Sequence, residues 1–182
     1  MPGQTLVCPG ILLEIPAGIF YNQKSAHVGG GKSAEEEPAM YLDELNINME
    51  FDLPEVAVSK ERMIEFSKLY DPFPLHHDEE FARNTRFGQL VAPGVMSFMS
   101  VWARFIDRGV LGNELIAGKS TKIEWFKPVF ANDTLKGTAR ITNITPRNAY
   151  NGIAEITIDV RNQHGDLVLT DVTESIVKRK VE

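Results

Sequence analysis

The sequence predicts an α+β fold in which an antiparallel sheet wraps around one long central helix. Two observations lead to this prediction. Residues 91–107, VAPGVMSFMSVWARFID, are apolar nearly all round and carry no charge before Arg104, which is typical of a helix in the middle of a core. After residue 115, apolar residues alternate with polar ones over several segments, which is typical of strands with one buried face.

Two shorter helices are predicted before the central one. Ser59 is a suitable N-cap for the first, and a residue before proline leaves the helical region, so Asp71-Pro72 ends it. Asp78 opens the second, with acidic residues in a first turn where they suit the helix dipole. The apolar stripe of the first helix consists of Met63, Ile64, Phe66 and Tyr70.

The second half of the chain has the pattern of antiparallel strands. Strands are predicted within residues 116–129, 134–145 and 152–162, and the last two segments alternate most clearly. The tetrapeptide QHGD at 163–166 reads as a hairpin turn into a final strand that starts near residue 167. Helices followed by strands indicate an α+β domain.

Composition narrows the possible functions. The chain has 182 residues, of which 43% are hydrophobic and 24% charged, as in a soluble globular domain with a short extension. A formal net charge of −6 without a Lys/Arg run argues against a broad nucleic-acid-binding face, but leaves room for a small basic pocket. Cys8 is the only cysteine, so an internal disulfide and a cysteine-based metal site are both excluded.

The first 40 residues differ from the rest. Residues 1–21 are interpreted as an N-terminal arm, residues 22–40 as a Gly/Glu-rich linker, and residues 41–182 as the domain. The GGGKS stretch in the linker resembles the end of a phosphate-binding P-loop, but Ala26 stands where that motif needs its first glycine. A flexible linker is therefore the interpretation adopted.

An apolar stretch within the arm, LVCPGILLEIPAGIF, is neither a signal peptide nor a membrane helix by its pattern. Pro9, Glu14 and Pro16 interrupt it, and no basic residue precedes Lys24. We therefore expect a soluble, cytoplasmic protein.

The loop between the two short helices contains a candidate acid/base pair. Asp71 and His76 are five positions apart, and Pro72 and Pro74 between them restrict the backbone. A carboxylate and an imidazole held close together can bind a water molecule and move protons to and from it. Spacing alone also fits an ordinary Asp-Pro turn with solvated histidines.

Gly94, at the predicted start of the central helix, is a candidate binding position. A helix N-terminus presents free N–H groups and partial positive charge, and a glycine lets a ligand approach the backbone. The alternative is that Pro93-Gly94 merely begins the helix.

The segment YDPFPLHHDEEFARNTRFGQLVAPG resembles the signature of the MaoC-like hydratases and dehydratases, a family that includes (R)-specific enoyl-CoA hydratases and has the hot-dog fold. The resemblance continues through YLDEL (41–45), IEWFKPVFANDTL (123–135) and VRNQHGDLV (160–168), and so covers about residues 41–180. The family pattern, Asp-x-Asn-Pro-x-His-x-Asp followed by Phe-Gly and a helix-opening Gly, maps onto Asp71, Pro74, His76, Asp78, Phe87-Gly88 and Gly94.

The resemblance implies a hydro-lyase that adds water to a 2-enoyl-CoA thioester, as in fatty acid metabolism, without metal or redox cofactor. Asp71 would act as the base toward water, His76 would share its orientation and the proton delivered to Cα, and the Gly94 N–H would bind the thioester carbonyl. It also implies a homodimer or a higher homo-oligomer. Residues expected to line the substrate pocket are Phe73, Pro74, Phe87, Pro93 and Ser97.

Two residues depart from the family pattern. Phe73 stands where Asn is commonest, and Pro93 stands where many members have His, which removes a side-chain donor before the helix. Two alternatives to a hydratase stay open, and the two departures favour the first of them. A non-catalytic acyl-CoA-binding module is one. A hot-dog thioesterase is the other, but it needs a carboxylate on the central helix, and none lies between Gly94 and Arg104.

Remaining candidates are weaker. Adjacent residues of an extended loop face opposite sides, so His77 is expected to point away from the site. Four scattered histidines without matching carboxylates predict no metal site. The cations that are candidates for contacts with CoA phosphates are Arg86, Arg104, Lys122 and Lys127.

Overall fold

The computed structural model describes residues 39–180. The predicted arm and nearly all of the predicted linker, residues 1–38, lie outside this range, so the division at residue 41 stays a prediction. Among the described residues, no helix is both long and apolar enough to cross a bilayer.

Six antiparallel strands form one sheet in the order β1-β4-β5-β6-β3, with β2 paired to β4 outside this path. The tight turn at 163–166 joins β5 to β6, as predicted. The α+β prediction is confirmed. The strands are β1 (Glu50–Asp52), β2 (Val56–Ala57), β3 (Leu115–Trp125), β4 (Thr134–Pro146), β5 (Asn151–Arg161) and β6 (Leu167–Lys178).

Three α-helices precede β3, and their ends follow the predicted caps. The hydroxyl of Ser59 accepts a hydrogen bond from the Arg62 N–H, and one carboxylate oxygen of Asp78 accepts from the N–H groups of Glu80 and Phe81. The helices are α1 (Lys60–Tyr70), α2 (Glu79–Arg83) and α3 (Gly94–Asp107), and short 3-10 turns occupy Leu42–Glu44, Pro74–His76 and Gly112–Glu114.

The core lies between α3 and the inner face of the sheet. Gly137 on β4 lets the helix approach, because a Cβ at that position would lie 2.5 Å from Cγ1 of Val101. The alternation predicted from sequence is present on the central strands, whose inner side chains are almost completely buried. These include Leu135, Ala139, Ile141, Ile156, Ile158 and Val160.

The central helix α3 packs into the core with one side, as predicted, and a second side is exposed among residues 39–180. Its buried residues are Met96, Ser97, Phe98, Val101 and Phe105, whereas three apolar side chains on the helix are 44–49% exposed: Val95, Met99 and Ile106. Strand β3, at the edge of the sheet, is likewise exposed along most of its length. Within residues 39–180, an apolar side of the central helix is therefore left uncovered.

Candidate active site

The loop between α1 and α2 brings the predicted acid/base pair together. Asp71 is the C-cap of α1, and the 3-10 turn that begins at Pro74 turns the chain back so that His76 faces it. His76 Nε2 lies 3.4 Å from Asp71 Oδ2. The His76 side chain is 12% exposed and that of Asp71 46%, so the imidazole is the inner member of the pair.

The second ring nitrogen of His76 is held by the backbone. Nδ1 lies 2.7 Å from the Val91 carbonyl oxygen. A carbonyl only accepts, so Nδ1 carries a proton and Nε2 is the atom that exchanges protons at the site. The Val91 N–H in turn donates to the Leu75 carbonyl at 3.3 Å, which fixes the loop to the segment before α3.

Ser67 positions the other half of the loop. This buried residue donates its hydroxyl proton to the Asp71 carbonyl at 2.7 Å and contacts His77 Nδ1 at 3.0 Å. A hydroxyl has one proton, so at His77 it accepts, and His77 Nδ1 is also protonated. His77 thus serves to anchor the loop on α1 and is not near the cavity, which agrees with the expectation that it points away.

A cavity of about 320 Å³ lies beside the pair. Four of the predicted site residues line it, namely His76, Phe87, Gly94 and Ser97. The cavity is also lined by the end of β3 and the residues that follow, from Trp125 to Val129. Asp71 borders the cavity only through its contact with His76 Nε2.

Three predicted pocket residues lie elsewhere. Phe73 packs edge-on against the His76 ring with centroids 5.8 Å apart, and is 51% exposed. Pro74 begins the 3-10 turn, and Pro93 is the buried N-cap of α3. These three shape the positions of His76 and the helix start, but they are not part of the cavity wall.

The start of α3 opens into the same cavity. The first hydrogen bond of the helix runs from the Ser97 N–H to the Pro93 carbonyl at 3.1 Å, so the Gly94 N–H has no acceptor within the helix. A Cβ on Gly94 would lie 2.7 Å from Nε1 of Trp125. Glycine is therefore required here by the close approach of the indole.

The four candidate cations differ in their surroundings. Lys122 pairs with Glu124 and Lys127 with Asp166, each at 2.7 Å, and Arg104 pairs with Asp107 at 3.3 Å. The hydrogen bond from Lys127 lowers the pKa of Asp166.

Arg86 has no carboxylate partner within the described part of the chain. It lies over the Phe87 ring at 4.8 Å and lines the cavity. Arg86 is thus the candidate cation whose charge is available to a ligand.

Between residues 39 and 180 no group of three or more His, Cys, Asp or Glu side chains is arranged to hold a metal ion. The expectation of a reaction without metal or cofactor stays a prediction.

Sequence reasoning missed three contributors to the site. The role of Ser67 could have been predicted, because it is a small polar residue one helical turn before Asp71. Val91 acts through its carbonyl, which no side chain reveals. Trp125 lies more than 30 residues from Gly94 in sequence, and only the path of β3 brings the two together.

Comparison with known proteins identifies a matching family model and one curated relative. The model is described as a MaoC-like domain and matches residues 44–162. The curated relative is YdeM of Bacillus subtilis, an uncharacterized protein, which is 28% identical over 141 residues covering 77% of this chain and 100% of that protein.

Solved structures share the fold over most of the chain. A monoamine oxidase regulatory protein from Archaeoglobus fulgidus has a TM-score of 0.74 and 26% identity, covering 80% of this chain and 98% of that one. A MaoC-like dehydratase from Rhodospirillum rubrum has a TM-score of 0.73 and 27% identity, covering 79% and 100%. An (R)-hydratase from Pseudomonas aeruginosa, at 21% identity and a TM-score of 0.66 over 78% and 88%, shares the fold.

Proposed function

We propose that this chain, which belongs to the MaoC-like domain family, is a hydro-lyase that reversibly adds water to a 2-enoyl-CoA thioester to give a 3-hydroxyacyl-CoA. Its fold is the hot-dog fold, as predicted. The observation that carries the proposal is the 3.4 Å contact between His76 Nε2 and Asp71 Oδ2 beside a cavity that also contains the start of α3. The similarity to a dehydratase of the same family supports it.

Asp71 and His76 can together carry out all the proton transfers of the reaction. The cycle requires Asp71 to start as the carboxylate and His76 to start with a proton on Nε2. Asp71 takes a proton from water while the water oxygen bonds to Cβ. The electrons of the double bond then move onto the thioester oxygen. Nε2 then protonates Cα, and the proton on Asp71 crosses to Nε2 over 3.4 Å, which restores the starting state.

The start of α3 would bind the thioester carbonyl. Gly94 lines the cavity and its N–H has no acceptor within the helix, so it could donate to the oxygen as negative charge develops. A well-placed donor of this kind contributes about 3 kcal/mol to stabilising such a transition state. In this mechanism no metal or redox cofactor takes part.

A second copy of the chain would cover two surfaces that are exposed in the described part of one copy. Among the described residues, β3 pairs along one edge only and the apolar side of α3 is uncovered. A homodimer that joins the two β3 edges would cover both features. A cytoplasmic location is part of this proposal, and the single cysteine of the sequence fits a reducing compartment.

The test is spectroscopic: loss of enoyl-thioester absorbance is followed with crotonyl-CoA and with branched enoyl-CoAs. We expect turnover by the wild type and a loss of at least about 100-fold in kcat for Asp71→Asn and His76→Ala, since general acid–base catalysis contributes 10²–10⁴-fold. His164→Ala is the matched control, because this histidine lies in the exposed turn between β5 and β6 and does not line the cavity.

Two outcomes would contradict the proposal. Turnover that survives both substitutions unchanged would exclude the acid/base mechanism. Binding of enoyl-CoA by the wild type without any turnover would identify an acyl-CoA-binding module instead.

A further inference from the structure

Trp125 lies against the first residue of α3 with the polar edge of its ring. A Cβ on Gly94 would lie 2.7 Å from Nε1 and 2.8 Å from Cε2, but 3.2 Å from Cζ2. The ring nitrogen and the adjoining Cε2–Cζ2 edge therefore both lie against the helix start, with the nitrogen nearest. Trp125 also lines the cavity shared with His76.

The indole N–H has no acceptor among residues 39–180, and the side chain is 50% exposed. An indole nitrogen is a donor only, and a tryptophan that packs for its apolar area alone is normally more buried than this. Trp125 and Gly94 thus lie in close contact, both line the cavity, and each carries an N–H without an acceptor among the described residues.

We propose that the Trp125 Nε1–H is a second hydrogen-bond donor to the thioester carbonyl oxygen, acting together with the Gly94 N–H. This inference rests on the proposed hydratase function. Pro93, the N-cap of α3, offers no side-chain donor at this point. Trp125, at the end of β3, would supply a side-chain donor instead.

The chemical reason is the charge that develops during the reaction. When water adds at Cβ, an electron pair moves onto the thioester oxygen before Cα is protonated. Two donors that already lie beside that oxygen stabilise its negative charge without reorganising. The effect is larger in the transition state than in the bound substrate, so it should appear mainly in kcat.

The direct test compares Trp125→Phe with the wild type on crotonyl-CoA. Phenylalanine keeps an aromatic ring but removes the N–H. We expect kcat to fall about 100-fold, as for other donors of this type, with little change in KM. Trp102→Phe is the control, since Trp102 packs between Phe98 and Phe105 on α3 and should keep the wild-type kcat.

A bound chromophore separates hydrogen bonding from a general effect on structure. 4-Dimethylaminocinnamoyl-CoA absorbs at longer wavelength as its carbonyl becomes more polarised. Bound in an Asp71→Asn background, where it is not hydrated, it should show a red shift. Adding Trp125→Phe should reduce that shift, and adding Trp102→Phe should not.

The outcomes distinguish this inference from the function on which it rests. No turnover by the wild type contradicts the hydratase proposal itself. Wild-type turnover with an unchanged kcat in Trp125→Phe, or an unchanged red shift, leaves the hydratase standing and overturns the role of Trp125.

Discussion

At the scale of single residues, the site depends on backbone groups as much as on side chains. The Val91 carbonyl fixes the tautomer of His76, and the Ser67 hydroxyl fixes the backbone of Asp71. Each of these hydrogen bonds orients one member of the pair; Val91 itself lines the cavity, whereas Ser67 does not. The geometry of the 3.4 Å contact between Asp71 and His76 is therefore set by residues outside the pair.

Arg86 leads to a prediction about the carrier of the acyl group. It is the candidate cation at the cavity without a carboxylate partner in the described range. A hydrogen bond to a charged group contributes about 1.5 kcal/mol or more, which is about tenfold in affinity. We expect Arg86→Gln to raise KM for crotonyl-CoA about tenfold, measured by steady-state kinetics.

Crotonyl-pantetheine, which has no phosphate, should be converted equally well by Arg86→Gln and the wild type. Lys122→Gln is the control variant, because Lys122 already pairs with Glu124 and does not line the cavity. An equal increase in KM for both substrates would show that Arg86 does not contact a phosphate.

At the scale of elements, β6 has an unusual inner face. Asp171, Thr173 and Ser175 are all buried there, and the hydroxyl of Thr173 donates to the Asp171 carboxylate at 2.9 Å. Burial raises the pKa of Asp171 to about 6, although the Thr173 hydrogen bond opposes the shift. A carboxyl group with a higher pKa in the folded state than in the unfolded one destabilises the fold once it ionises.

Asp171→Asn should therefore stabilise the protein, and more so at higher pH. The cost of ionisation develops between pH 3.8, the unfolded value, and about pH 6, the folded value. Above this window it amounts to about 3 kcal/mol, since one pKa unit corresponds to about 1.4 kcal/mol. We expect urea denaturation to show a gain for the variant at pH 7.5 that largely disappears at pH 4.

Asp166→Asn provides the comparison. Asp166 is paired with Lys127, and the hydrogen bond from that lysine lowers its pKa, so its removal should give no gain at either pH. A gain for Asp171→Asn that does not depend on pH would contradict the assignment to ionisation.

Elements whose signals are local could be read from the sequence. The caps Ser59 and Asp78 and the alternation of β4 and β5 depend on neighbours a few residues away, and the structure has them as expected. The proximity of Asp71 and His76 could be predicted for the same reason, because one short loop holds both, while their catalytic roles stay a prediction. The positions of Trp125 and of the Val91 carbonyl could not be predicted, because they depend on contacts between distant segments.

At the scale of the whole molecule, the exposed side of α3 predicts a homodimer. Sedimentation should give twice the 20.4 kDa of the chain. Met99 is 47% exposed at the middle of that apolar side. Met99→Glu should shift the protein toward the monomer, because a charge without a partner is costly to bury in an interface.

Tyr150→Glu is the control, since Tyr150 is 68% exposed in the turn between β4 and β5, away from α3. A wild-type chain that sediments as a monomer at micromolar concentration would contradict the prediction.

The contact between Asp71 and His76 also has a stereochemical consequence. Both groups lie together at one side of the cavity, and His76 is the member that lines it. In the proposed reaction, the oxygen at Cβ and the hydrogen at Cα therefore arrive from the same face of the double bond. Such a syn addition fixes the relative configuration of the two carbons whenever Cα carries a substituent, so the enzyme would convert one geometric isomer of a branched substrate into a single diastereomer.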